Sequence, residues 1–67
     1  MIDARGRSCP EPVIMIKKAM ETNESNYDMM VDNRVSVENV TRYAEHNGYR
    51  VEVTENEDDV TLKIIKK

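Results

Sequence analysis

Cys9 is the only thiol in this 67-residue chain, and it stands directly before Pro10 in the run Ser8-Cys9-Pro10-Glu11-Pro12. Proline at the first helical position costs no hydrogen bond, because that N–H has no partner within a helix. The order of residues therefore puts Cys9 at or beside a helix N-cap. Open N–H groups and the positive end of the helix dipole favour a thiolate there, the nucleophilic form of the side chain. Arg5 and Arg7 lie just upstream and add positive charge, whereas Glu11 opposes the thiolate while favouring the helix. Pro10 and Pro12 stiffen the turn and take two donors out of it. The chemistry open to such a group is thiolate attack through a sulfur–sulfur bond, which needs no cofactor. The competing reading is simple packing, since free cysteine is among the most buried residue types. The Cys-Pro-x-Pro helix start argues against it, because the N-terminus of a surface helix is rarely a core position.

Other chemistries are excluded by counting. One cysteine forms no internal disulfide, and with a single histidine there is no zinc set of ordinary spacing, so no metal site is expected. A lone thiol also has no internal partner, so any thiol exchange it enters ends on another molecule. That favours a relay over a peroxidase or a dithiol reductase. A formal net charge of -3 gives no broad basic field for phosphate backbones, and paired aromatics are lacking, which disfavours direct nucleic-acid binding. The longest apolar run is Val13 to Ile16, too short for a membrane span or a secretory leader. With one cysteine and no export signal, a reducing cytoplasm is the expected compartment.

The elements that must position Cys9 follow from periodicity. Residues 1–67 read as one domain, without repeats or linkers. A chain of this length buries only about 60% of its unfolded surface, so ordinary apolar packing has a thin margin. Met1 to Ala4 suggests a brief strand, and Arg5-Gly6-Arg7-Ser8 a loop. Val13, Ile16, Ala19 and Met20 recur at helical spacing, which predicts a helix over Pro10 to Thr22 with Lys17, Lys18 and Glu21 outward. Asn23 to Asn26 is turn chemistry. Tyr27, Met29 and Val31 alternate with polar or flanking residues as a strand. A second helix follows, with Ser36 as N-cap, Val35 stapled to Val40, and Gly48 just past its end. Tyr49, Val51 and Val53, then Val60, Leu62 and Ile64, alternate on either side of the polar Glu55 to Asp59 segment as a hairpin. Met15, Met20 and Met29 fall on apolar positions and read as core filling. His46 suits a helix C-terminus and reads as structural.

The order βαβαββ predicts an α+β fold, a two-layer α/β sandwich with two helices on one face of a four-stranded mixed sheet. The other face would carry Glu52, Thr54, Thr61 and Lys63, and be wet or covered by a partner. If the first two strands are parallel, their C-terminal ends share one edge. The Cys9 loop and the Asp32 to Ser36 segment then lie side by side, where open α/β sheets bind ligands. Asn33 there is a hydrogen-bond donor toward Cys9, and Asp32 orients the loop. Asp and Asn also favour turns whatever the function, so the pair reads equally as turn chemistry. Lys17 lies about 10 Å along the helix from its start. A solvated helix face is the first reading for it, and partner docking the second.

Asp3-Ala4-Arg5-Gly6, the Ser8-Cys9-Pro10-Glu11-Pro12 run, Lys17, Val31-Asp32-Asn33, Asn39-Val40 and Gly48-Tyr49 together resemble the TusA/SirA-like sulfur-carrier family. The likeness is particularly to the TusA-like domain of YedF-type proteins, linked to selenium metabolism, and it covers essentially the whole chain. The resemblance implies a two-layer sandwich and a motif cysteine, here Cys9, that accepts sulfane sulfur. The donor would be a cysteine desulfurase or a rhodanese-like protein. The persulfide sulfur would pass to a downstream acceptor protein, as in thiolation of tRNA wobble uridine. It also implies a partner contact at Lys17 and an acidic neighbour of the cysteine at Asp32. Two departures bear on partner identity. Relatives often read Asp-Asp-Pro where this chain has Asp32-Asn33-Arg34, and the lysine at position 17 lacks the bidentate fork of the arginine usual there.

The expected function is therefore a cofactor-independent sulfur carrier using Cys9. Pro10, Glu11, Pro12, Asp32 and Asn33 would support the cysteine, and Arg5, Arg7 and Lys17 would meet partners. The alternative is a noncatalytic regulatory or interaction module that uses the same edge.

Overall fold

The computed structural model describes residues 2–7 and 11–67. Met1, Ser8, Cys9 and Pro10 lie outside the described residues, and so do the expectations placed on them. The elements are β1 (Ile2–Asp3), α1 (Glu11–Met20), β2 (Asn26–Val31), α2 (Arg34–His46), β3 (Tyr49–Glu55) and β4 (Val60–Lys66). They form the expected α+β arrangement, with one four-stranded sheet in the order β1-β2-β4-β3. β1 runs parallel to β2, while β4 is antiparallel to both β2 and β3, so the sheet is mixed.

Alternation in the strands decides what is buried. Tyr27, Met29 and Val31 of β2, with Leu62 and Ile64 of β4, turn toward the helices and are buried. Ile16 of α1 and Val40 and Ala44 of α2 close over them with no exposed surface. The Tyr27 and Tyr49 rings pack tilted at 52° with centroids 6.0 Å apart, and Tyr27 Oη accepts the Glu24 N–H at 2.9 Å. Burial, and then the neighbouring Tyr27, raises the Tyr49 pKa above its ordinary value. Methionine fills this core as expected, with Met29 fully buried and Met15 and Met20 packed at its margin. The opposite sheet face is wet, with Lys63 set between Asp28 of β2 and Glu52 of β3. No helix among the described residues is long and apolar enough to cross a membrane.

The ends of the helices differ in part from the sequence reading. The regular turns of α1 stop at Met20; Glu21, Thr22 and Asn23 then donate to Lys18, Ala19 and Met20 in a tightened turn. Asn23, at φ 58°, takes the left-handed conformation that asparagine tolerates best among side-chain-bearing residues. The cap of α2 is Asn33, not Ser36. Its Oδ1 accepts the Ser36 N–H at 2.8 Å from an extended backbone. Asparagine caps as well as serine does, and starting the helix at Arg34 turns Val37, Val40 and Ala44 inward. Ser36 is instead inside the first turn and buried, its hydroxyl without a hydrogen-bond partner among the described residues. Val35 is 57% exposed, so it makes no staple with the buried Val40. Gly48 follows the C-cap Asn47 with φ 84°, as the sequence indicates. Asn33→Ala should therefore lower stability by about 1 kcal/mol, and Ser36→Ala should cost much less. Paired urea melts of the two variants test this, and the reverse order would restore Ser36 as the cap.

Candidate functional site at the β1–α1 loop

The parallel pairing of β1 and β2 brings their ends together. Ile2 lies beside Met29 and Asp3 beside Met30, and the Ala4 N–H extends the ladder to Met30 O at 2.8 Å. Past β1 the chain turns sharply, with the Arg7 N–H donating to Ala4 O at 3.2 Å and Gly6 at φ 77°. Glycine takes this backbone conformation without steric cost. The Gly6 N–H then donates to Asp32 Oδ2 at 2.7 Å, joining residues 26 apart in sequence. Asp32 Oδ1 accepts from Asn33 Nδ2 at 3.1 Å. The two loops are thus tied together at one sheet edge.

The Asp32 carboxylate holds the β1–α1 loop through the Gly6 N–H. Asn33 caps α2 through its oxygen and holds Asp32 through its nitrogen, and the bond expected from it toward Cys9 lies outside the described residues. Both flanking arginines are ion-paired. Arg5 grips Asp3 through Nε and Nη2, each at 3.0 Å, and its Nη1 lies 3.5 Å from Asp59 Oδ2 beside the hairpin. Arg7 Nη1 lies 3.2 Å from Glu11 Oε2, a side-chain link between the two flanks of residues 8–10. Neither guanidinium is thus an uncompensated positive charge. Pro12 is buried in the first turn of α1, while Lys17 is exposed and free of ion pairs among the described residues.

The side-chain hydrogen bond from Arg5, followed by its backbone N–H, lowers the Asp3 pKa from 3.8 to about 2. A carboxylate lowered in this way favours the folded chain above its ordinary pKa. That contribution fades as pH falls through about 2. An NMR titration of the Asp3 carboxyl should have its midpoint there, and Arg5→Ala should return it to the ordinary range. An unchanged midpoint in Arg5→Ala would refute this pairing in solution.

The hairpin's approach to this edge was not legible in the sequence, where Glu55 to Asp59 reads only as a polar turn. The tertiary fold sets Asp59 against Arg5 and places Glu55 and Asp59, with Asp32 and Asn33, around a cavity of about 260 Å³. No group of three or more His, Cys, Asp or Glu side chains disposed to hold a metal occurs among the described residues.

Comparison with known proteins agrees with this architecture. The family described as "Sulfurtransferase TusA" matches residues 1–67. A Methanocaldococcus jannaschii protein named "Putative sulfur carrier protein" is 37% identical over 68 residues, covering 98% of this chain and 91% of its own. A crystal structure of a SirA-like protein from Desulfitobacterium hafniense matches with TM-score 0.84 and 37% identity. That match covers 96% of this chain and 92% of the other. The resemblance read from the sequence holds over the full length: the chain belongs to the TusA sulfurtransferase family.

Proposed function

We propose that this protein is a cytoplasmic sulfur carrier that receives sulfane sulfur on Cys9 and relays it to an acceptor protein. Family membership supports the carrier role. The observation that carries the assignment to this edge is the bond from the Gly6 N–H to Asp32, which ties the loop leading to Cys9 onto the turn after β2. The Arg7–Glu11 ion pair supports the same reading, because it links the two flanks of the cysteine motif.

In the loading step the Cys9 thiolate attacks the terminal sulfur of a persulfide on a cysteine desulfurase or rhodanese-like donor. A sulfur–sulfur bond forms to Cys9, the donor's sulfur–sulfur bond breaks, and the donor departs as a thiolate. Unloading repeats the exchange with an acceptor thiolate as nucleophile and Cys9 as leaving group. No net oxidation occurs in either step. Asp32 and Asn33 act as positioning residues, Pro10, Glu11 and Pro12 shape the helix start, and Lys17 offers a cation to the partners. The acceptor decides whether the sulfur enters tRNA thiolation or other sulfur or selenium metabolism.

The test is the intact mass of the protein after incubation with a cysteine desulfurase, pyridoxal phosphate and cysteine. A gain of one sulfur atom, reversed by dithiothreitol, is the expected result. No gain from a panel of desulfurase and rhodanese donors, with Cys9 still readily alkylated, would overturn the carrier reading and leave an interaction module.

A further inference from the structure

β3 occupies one end of the sheet, so only one of its long edges is paired. Its register with β4 is unbroken from Tyr49↔Lys66 to Glu55↔Val60. Just outside it, the Lys67 N–H donates to Gly48 O and the Asn56 N–H donates to Asp59 O. Hydrogen-bonded pairs alternate along an antiparallel ladder. Arg50, Glu52 and Thr54 therefore turn their backbone groups toward β4, and Tyr49, Val51, Val53 and Glu55 turn theirs outward. No backbone bond covers these outward groups among the described residues. The strand has no proline, lysine or bulge, which are common devices for keeping such an edge apart. Val53 is 47% exposed along it.

We propose that two copies of this chain pair antiparallel through their β3 edges, about a two-fold axis centred on Val51. Charge selects that register. An axis at Arg50 would set two guanidinium groups face to face, and one at Glu52 would do the same with two carboxylates. An axis at Val53 would put Glu52 opposite Thr54 and gain no ion pair. Centring on Val51 sets Arg50 of each copy opposite Glu52 of the other, in both symmetry-related places. It also lets the outward groups of Val51 meet those of Val51, and those of Tyr49 meet those of Val53. The Arg50–Glu52 pairs then fall at the non-hydrogen-bonded positions, where opposed side chains lie closest.

Within one copy, Arg50 Nη2 already stands 3.6 Å from Glu52 Oε2, on the wet face beside Lys63. Pairing extends the alternating row Asp28, Lys63 and Glu52 of each copy by Arg50 of the other, giving two symmetry-related rows. The exposed side of Val53 is brought beside Tyr49 of the second copy. β1 lies at the opposite sheet edge, so the β1–α1 loop leaves from the far side of the pairing.

Sedimentation of the full chain over a range of concentrations tests the proposal. The wild type should show a monomer–dimer equilibrium that shifts to monomer on dilution and with added salt. Arg50→Glu and Glu52→Lys each create like-charge pairs and should each weaken the dimer roughly tenfold. An equimolar mixture of the two variants should regain wild-type association, because every reversed side chain then faces its opposite sign. Circular dichroism checks that both variants fold. Hydrogen exchange gives a second readout on the wild type, whose Val51 and Val53 amides should slow as concentration rises. A wild type that stays monomeric at its highest soluble concentration would overturn the proposal and leave the edge to a strand of another protein. A dimer indifferent to both reversals, or a mixture no better than its components, would overturn it equally.

Discussion

Changing Cys9 to serine should abolish sulfur uptake while leaving the circular dichroism spectrum of the domain in place. The chain has no other cysteine, so no second thiol can accept the sulfur. Loading requires an ionised sulfur nucleophile and ends in a sulfur–sulfur bond. A serine hydroxyl meets neither requirement, so the loss is complete rather than partial. The measurement is intact mass of both proteins after the same desulfurase incubation. Dithiothreitol-reversible uptake by Cys9→Ser would place the accepting atom elsewhere and sink the assignment. The wild type carries a second expectation: alkylation of Cys9 should remain fast well below the ordinary thiol pKa of about 8.5. A titration at or above that value would remove the argument for an activated thiolate.

Leu62→Ala should remove a large part of the domain's stability. Leu62 lies in β4, between Met29 of β2 and Val53 of β3 in the register, and its side chain has no exposed surface. Truncating such a residue costs about 2–5 kcal/mol, through lost transfer energy and the cavity left behind. A domain of this size holds roughly 3–10 kcal/mol in total. The variant should therefore unfold at much lower urea than the wild type, or be unfolded without it. Val35→Ala is the control. Val35 is 57% exposed on α2, and its truncation should change stability by less than about 0.5 kcal/mol. Equal midpoints for the two variants would contradict the core described above.

Local chemistry made most of the fold readable. Alternation at Tyr27, Met29 and Val31 and the helical spacing of Val37, Val40 and Ala44 dictate which side chains are buried, and the structure buries all six. Gly48 ends α2 because few other residues accept a positive φ, a demand of backbone sterics that needs no tertiary partner. Cys9 could be singled out for the same local reason, since the Cys-Pro-x-Pro run is contiguous. The N-cap of α2 was harder. Asn33 and Ser36 are both good caps, and the choice between them depends on which helix start faces Val37 and Val40 inward over the sheet. Val53 follows the alternation of its strand yet stays exposed, because β3 lies at the sheet edge.

Element order, the core faces and the family were all legible along the chain. What those residues face depends on the assembled sheet. Arg5 meets Asp59, Gly6 meets Asp32, and Arg50 and Glu52 line a free edge because the strand order is β1-β2-β4-β3. Backbone preference and hydrophobic period act over a few residues, so neighbouring positions suffice to reveal them. Contacts between residues 26 apart, like the bond that holds the β1–α1 loop, exist only once the sheet brings distant segments together.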